Sequence, residues 1–437
     1  MNIDLLHPRD QIVMIMKRIY GYGMTTTSGG NISVLDENGD IWISPGGVDK
    51  GSLRPEDIVR IRPDGSYEGI HKPSIELPFH RAIYRSRPDL GAVIHAHPVA
   101  LVSFSVARKI PDTSIVPKAR KICGEVGYAP YALPGSERLG DNIAAVFGEG
   151  YNTALLENHG VACAGGDLFE AFMRFETLDY CARLIIRAGQ MGGRNPAACP
   201  LNDEELSMSK GDRHLVEEFV PKGYSSRERE ARKMMLSMVH RAYDQRLCTS
   251  TEGTFSLRVE GGDFLITPYG IDRKYMEISD LVSIREGKRE KGKEPSRSLI
   301  LHQKIYARHP DINAVIIAHP TSIMAFAVSR RKFDTLVIPE TYVMLMDIPL
   351  LPYGTQYREQ DRVAELISPE NPVVLVENDC IITSGGSLLE AFDRLEVAEF
   401  SAGAVVSAGA VGGVVPISPR ERVELEAAFL KKGGKSG

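Results

Sequence analysis

Between Gln11 and Tyr20 apolar residues return every three to four positions, which predicts a helix with one buried face. Asn31–Val34 and Ile41–Ser44 read as short strands, and the second runs into a Pro-Gly-Gly turn. Helical spacing resumes over Ser74–Arg85, with Pro73 near the start. "GAVIHAH" (91–97) predicts a buried strand, and "NTALLENHG" (152–160) predicts another that stops at Gly160. Leu168–Ala188 predicts a long helix. Two to four short strands set between helices predict an α/β unit, a sheet covered by helices.

The pattern then repeats. "KPSIELPFHRAIYRSRPDLGAVIHAHP" (72–98) aligns without gaps to "EPSRSLILHQKIYARHPDINAVIIAHP" (294–320). "WISPGGVD" (42–49) answers to "LITPYGID" (265–272), and "LLENHGVACAGGDLFEAFMRFE" (155–176) to "LVENDCIITSGGSLLEAFDRLE" (375–396). The offset stays between 220 and 223, so a whole domain is duplicated rather than a short solenoid unit. Gly, Asn and Pro punctuation followed by charge marks 191–225 as a linker between domains at 1–190 and 226–437.

Composition changes this picture mainly by exclusion. At 437 residues, 43% apolar, the chain can build more than one core. A net charge of −5 gives no reason to expect nucleic acid as a partner. The densest basic run, Arg285–Lys293, is interrupted by acidic residues and reads as a solvated loop. No uncharged apolar run of about 18 residues occurs, and "MNIDLLHPRD" has no apolar signal core, so no membrane partner is expected. Six scattered cysteines without a C-x-x-C pair fit reduced thiols, and with the rest they predict a cytoplasmic protein.

Candidate chemistry lies in the first copy. His95 and His97 are two apart on a predicted strand and share a face. His159 sits at the predicted end of another strand, before a Gly that lets the backbone turn. Three imidazoles leave the fourth position of a tetrahedral ion open, the catalytic rather than the structural arrangement. Glu76 is a candidate fourth ligand or proton-transferring base. In the second copy Glu76 becomes Ser298, His95 becomes Ile317 and His159 becomes Asp379, while His97 survives as His319. Residues that are lost as a group were working as a group.

These motifs resemble the class II aldolase/adducin family. The carriers are "SGGNIS" (28–33), "ISPGG" (43–47), "KPSIELPFHRAIY" (72–84), "AVIHAHP" (92–98) and "LLENHG" (155–160), and the likeness spans both copies. Glu76 precedes His95 and His97 by 19 and 21 positions, the family's spacing of acid to strand histidines. The resemblance implies two tandem domains, each a mainly antiparallel sheet covered by helices in three α/β/α layers. It implies one divalent ion per chain in the first domain, zinc or else Mn2+, Co2+ or Fe2+, held by His95, His97 and His159. A substrate phosphate would meet Asn31, Ser44, Gly46, Gly47 and Ser74.

The implied activity is that of a lyase cleaving or forming a C–C bond in a sugar or sugar phosphate through a metal-stabilised enediolate, with Glu76 moving a proton at carbon. An epimerase, dehydratase or decarboxylase of the same family is the alternative, and a non-catalytic adducin-like scaffold is the reading from another class. Two departures stand out: Ile75 follows Ser74 where the sugar-phosphate aldolases have a second serine, and Ile115 and Val116 stand where they carry a tyrosine acid. Tyr128 or Tyr131 would be its substitutes. The resemblance also implies a homo-oligomer, a dimer imitating a four-domain ring or a tetramer. The second copy is then a built-in neighbour or a structural remnant.

Overall fold

The computed structural model describes residues 3–191, 198–209 and 216–430. The chain divides into two compact units, Met1–Ser114 with Lys118–Arg183, and Ile115–Pro117 with Leu184–Gly437. In the first, strands β1 (Asn31–Leu35), β2 (Ile41–Ile43), β3 (Val59–Ile61), β4 (Tyr67–Glu68), β5 (Ala92–Ala96), β6 (Gly127–Ala129), β7 (Thr153–Leu156) and β8 (Val161–Gly165) form one sheet. Its order is β4-β3-β2-β1-β5-β8-β7-β6, and only the β6–β7 pair is parallel. The expected two to four strands become eight, because β2, β3, β4 and β6 are two or three residues long, too short to display alternation.

Neighbouring side chains of a strand point to opposite faces, and all five residues of β5 are buried, so both faces of the sheet are covered. α1 (Pro8–Gly21) packs against β1 and β2. α2 (Leu77–Ser86) and α5 (Glu137–Gly148) pack together over a core that includes Phe79, Ile83, Val93, Ile143, Phe147 and Leu156. Truncating either phenylalanine to Ala would cost about 3–5 kcal/mol. Between them in the chain lie α3 (Val99–Val106) and α4 (Pro117–Cys123), and α6 (Leu168–Gln190) follows β8.

Three local expectations are corrected. The helix expected over Ser74–Arg85 begins at Leu77, because Ser74–Leu77 forms a turn in which the Leu77 N–H donates to the Ser74 carbonyl. "NTALLENHG" is a strand only to Leu156; Asn158 then takes φ 53°, left-handed backbone that Asn tolerates, and β8 departs at Val161. The basic run Arg285–Lys293 is a hairpin of β12 (Val282–Arg285) and β13 (Lys288–Glu290), turning at Glu286 and Gly287 with φ 50° and 78°. Ion pairs of Arg285 with Glu228, Arg289 with Glu218 and Lys293 with Glu290 hold it.

The second unit repeats the plan around β10 (Thr254–Glu260), β11 (Asp263–Ile266), β14 (Ala314–Ala318), β15 (Leu350–Leu351), β16 (Val373–Val376) and β17 (Cys380–Gly385). Their order, β15-β16-β17-β14-β10-β11, matches β6-β7-β8-β5-β1-β2 of the first. The stretch 191–225 contributes α7 (Asp203–Met208), capped by Asn202, and β9 (Glu218–Phe219), which pairs parallel with β13. Residues 192–197 and 210–215 of that stretch lie outside the described residues.

One buried polar cluster recurs in both units. Ser33 Oγ lies 2.7 Å from both His80 Nδ1 and Tyr84 Oη, and Ser256 Oγ lies 2.6 Å from both His302 Nδ1 and Tyr306 Oη. Burial pushes His80 and His302 down to about 3 from the ordinary 6.5. The unfolded chain therefore accepts protons from pH 6.5 downward that the folded chain refuses until about pH 3. Stability from these groups is complete above that window and is lost as the pH falls through it. Between pH 7 and pH 5 the loss should be about 2 kcal/mol per histidine. Urea midpoints at the two pH values should show a smaller drop for His302→Gln than for the parent chain.

Candidate metal centre

Sheet register assembles the site. Asn31 at the start of β1 stands opposite His95 on β5, and Ala162 on β8 stands on the other side. His97 lies just past the end of β5. His159 comes from the β7–β8 turn, where its N–H donates to Ser105 Oγ at 2.9 Å and Ser105 in turn donates to the Leu156 carbonyl at 2.6 Å. A side chain on Gly160 would stand 2.6 Å from the Ala96 carbonyl and 2.7 Å from His97 Cδ2, so only Gly fits between the rings. A side chain on Gly29, of "SGGNIS", would stand 3.0 Å from His97 Nδ1.

One ligand nitrogen from each of His95, His97 and His159 lies within 4.8 Å of the others. The His95 Nδ1–H donates to the Val161 carbonyl at 3.0 Å. A carbonyl only accepts, so the proton is on Nδ1 and the Nε2 lone pair faces the site. Nε2 of His95 and Nε2 of His97 are both buried without a hydrogen-bond partner. Burial and then the neighbouring imidazoles hold His95 well below its ordinary value; burial and His159 lower His97, against the pull of Glu76. Neutral imidazole is the form that binds a metal.

Glu76 is 7% exposed and immediately precedes α2. Its Oε1 lies 3.3 Å from His159 Nε2, and its Oε2 lies 3.4 Å from His95 Nε2 and accepts from Asn31 Nδ2 at 2.6 Å. The 3.4 Å contact would be an ion pair only if His95 were protonated, which its burial and tautomer oppose. The His95 lone pair therefore faces a carboxylate oxygen that takes its hydrogen bond from Asn31 and offers the imidazole none. Orphaned buried nitrogens cost about 1–3 kcal/mol each, and a cation accepting three imidazoles and facing a carboxylate removes that cost. The residues present fit a divalent ion.

The expected phosphate residues divide. Pro45 and Pro73 form a bridge that sets the Pro-Gly-Gly turn beside Ser74. Gly46 N–H donates to the Lys72 carbonyl, whereas Gly47 at φ 68° has open space where a side chain would stand. Buried Ser44 accepts the Ile32 N–H through Oγ, and Ser74 Oγ accepts that of Glu76. Under the turn, buried Lys50 donates to the Pro45 carbonyl, and burial pushes its pKa down to about 8. Asn31 is placed with the histidines, its amide shared between Glu76 and His80. Of the candidate tyrosines, Tyr131 is 55% exposed and its N–H donates to Glu157. Sequence reading missed Ser33, His80, Tyr84 and Ser105; the first three were visible as residues that both copies keep.

The sequence profile described as the Class II Aldolase and Adducin N-terminal domain matches residues 10–186 and again 233–406. The chain belongs to the class II aldolase and adducin family. It is 34% identical over 209 residues to 5-deoxy-D-ribulose 1-phosphate aldolase of Bacillus thuringiensis serovar kurstaki, 46% of this chain and 93% of that protein. It is 32% identical over 179 residues to L-fuculose phosphate aldolase of Methanocaldococcus jannaschii, 41% of this chain and 95% of that protein. It is 30% identical over 185 residues to 3-oxo-tetronate 4-phosphate decarboxylase of Escherichia coli, 41% of this chain and 87% of that protein.

The second class II aldolase-like unit does not repeat the histidine group. Ile317 has joined an apolar cluster with Leu299, Leu351, Val376 and Cys380. Asp379 accepts from Tyr357 Oη at 2.9 Å, and Cys380 fills the position of Gly160. Among the described residues, His95, His97 and His159 are the one group of three or more His, Cys, Asp or Glu side chains placed to hold an ion. Gly160→Ala should weaken zinc binding at least tenfold in competition with a chelating indicator. It should also destabilise the chain by about 1–3 kcal/mol through overpacking, read as a shifted urea midpoint.

Proposed function

We propose that the first unit is a divalent-metal-dependent lyase that cleaves or forms a C–C bond beside the carbonyl of a sugar phosphate. The observation that carries this reading is the histidine group: Nε2 of His95 and of His97 are orphaned, the three imidazoles each bring a ligand nitrogen within 4.8 Å of the others, and the Glu76 carboxylate stands against His95 and His159. Held by the three imidazoles, zinc or a similar divalent ion supplies Lewis-acid stabilisation of charge on a substrate oxygen. Glu76 carries the proton to or from the adjacent carbon. Its backbone is set by the turn ahead of α2 and one of its oxygens by Asn31, so the carboxylate meets the substrate with little freedom left to lose.

Gly47, Ser74 and Ser44 frame the phosphate. The open side of the Pro-Gly-Gly turn and the two hydroxyl hydrogens suit an anion, and the cationic Lys50 beneath adds favourable charge. The substrates named for the three relatives all carry a phosphate ester, which supports a phosphorylated substrate. Decarboxylation is the second reading, because a decarboxylase stands at 30% identity beside the aldolases at 32% and 34%. Ile75, Val99 and Leu133 are exposed in the first unit, and a homo-oligomer would cover apolar surface of this kind. No helix among the described residues is long and apolar enough to cross a membrane.

Protein purified without chelators should carry about one equivalent of divalent ion per chain, lost in His95→Ala. Two equivalents would mean the second unit also binds, and none with no rebinding would favour a scaffold. Glu76→Gln should keep the ion and lose about 10²–10⁴-fold in kcat. Turnover is to be assayed as cleavage of L-fuculose 1-phosphate and 5-deoxy-D-ribulose 1-phosphate, and as carbon dioxide release from 3-oxo-tetronate 4-phosphate. Release from the last substrate alone would replace the aldolase reading with the decarboxylase.

A further inference from the structure

We propose that Asn31 is a positioning residue for Glu76, the link that joins a buried Tyr–Ser–His chain of the fold to the carboxylate of the site. The inference rests on the reading of Glu76 as the proton carrier. Its geometry is continuous: Tyr84 Oη to Ser33 Oγ at 2.7 Å, Ser33 Oγ to His80 Nδ1 at 2.7 Å, His80 Nε2 to Asn31 Oδ1, and Asn31 Nδ2 to Glu76 Oε2 at 2.6 Å. Ser33 and His80 are fully buried and Asn31 is 2% exposed.

The direction of every bond follows from the carboxylate. Its oxygens accept, so the Asn31 NH₂ must face Glu76 and the Asn31 carbonyl must face His80. His80 then donates from Nε2 and accepts at Nδ1 from Ser33, whose oxygen takes the Tyr84 proton. All the hydrogens point one way, toward Glu76, and each bond polarises the next. Such a chain does more than fill hydrogen-bonding capacity. It holds Oε2 at 2.6 Å from a fixed amide, while Oε1 stands 3.3 Å from His159 Nε2. Among the described residues the Asn31 amide is the one group that donates a hydrogen bond to Oε2, and without it Oε2 is free to turn with Oε1 toward the histidines.

The second unit is the internal control. It keeps Ser256, His302 and Tyr306 with the same contacts, so that part of the chain belongs to the fold. It has lost the carboxylate, as Ser298, and with it the amide, as Thr254. Thr254 Oγ1 turns to Ser296 Oγ at 2.6 Å, and His302 Nε2 is left buried without a partner. The fold tolerates an orphaned imidazole nitrogen there when no carboxylate needs holding. Asn31 thus goes with Glu76 and not with the triad behind it.

The test is Asn31→Thr, which copies the residue that the second unit's sheet carries at the matching register, with Asn31→Ser as a second variant should it not fold. Cobalt(II) is the probe. Asn31→Thr should still bind one equivalent of cobalt, with a visible spectrum displaced from that of the parent chain. Adding Glu76→Gln should abolish the displacement, because the released carboxylate causes it. An unchanged spectrum in Asn31→Thr, or a displacement that persists in the double variant, overturns the proposal, and neither reading needs a substrate. On a substrate the parent chain turns over, kcat should fall about 10²-fold with KM within about threefold of the parent value. A rise in KM with kcat preserved would make Asn31 a substrate contact and overturn the positioning role. If the parent chain turns over none of the three substrates, the function proposed above fails while the cobalt spectra still decide the role of Asn31.

Discussion

Everything at the site hangs on the register of β5 between β1 and β8. Asn31 opposite His95 brings an amide beside an imidazole, and the end of β5 and the start of β8 bring the Val161 carbonyl under His95 Nδ1. A slip of one residue would turn His95 to the other face of the sheet and carry the tautomer-setting hydrogen bond with it. The register is specified because β5 is buried on both faces, so no alternative pairing keeps Val93 in the core with Phe79 and Phe147. A hydrophobic constraint thereby fixes the placement of polar atoms, among them two buried imidazole nitrogens that the fold leaves without a partner.

The two units measure what the chemistry demands beyond the fold. Both retain the sheet order around the central strands, the Ser–His–Tyr cluster and the left-handed Asn at the strand turn, Asn158 and Asn378. At the positions around the histidine group they part: Asn31, Glu76, His95 and His159 of the first unit stand as Thr254, Ser298, Ile317 and Asp379 in the second. Replacing a buried imidazole by Ile317 lets that position join an apolar cluster, removing an orphaned nitrogen at the same stroke. The first unit keeps Nε2 of His95 and of His97 unpartnered. An arrangement that leaves buried nitrogens unpartnered costs local stability, which is the pattern expected where a fold keeps a site for a ligand.

Much of this was legible in the chain itself. Duplication, the α/β class and the histidine group followed from spacing, because His95 and His97 are close in sequence and the second copy marked which positions differ. What was not legible depended on contacts across long separations. The position of Glu76 ahead of α2 is set by a turn at Ser74 that helical periodicity cannot show. The division of labour between Asn31 and the Pro-Gly-Gly turn depends on which hydroxyls and amides the backbone has already claimed, as with Ser44 and Ile32. The hairpin at Arg285–Lys293 escaped notice because its charges are paired with Glu228 and Glu218, far away in sequence.

Cys380 ties together the positions of the second unit that match the histidine group. The glycine at the matching place in the first unit is needed because a side chain would press on the rings and on the strand backbone. Restoring histidines at Ile317 and Asp379 and a glutamate at Ser298 would therefore set three new side chains against an occupied space. Each reversion would be harmful until the cysteine was gone, while losing the cysteine first would open a void in a core that now includes it. Changes at these positions are therefore coupled, because what fits at 298, 317 and 379 depends on whether position 380 carries a side chain.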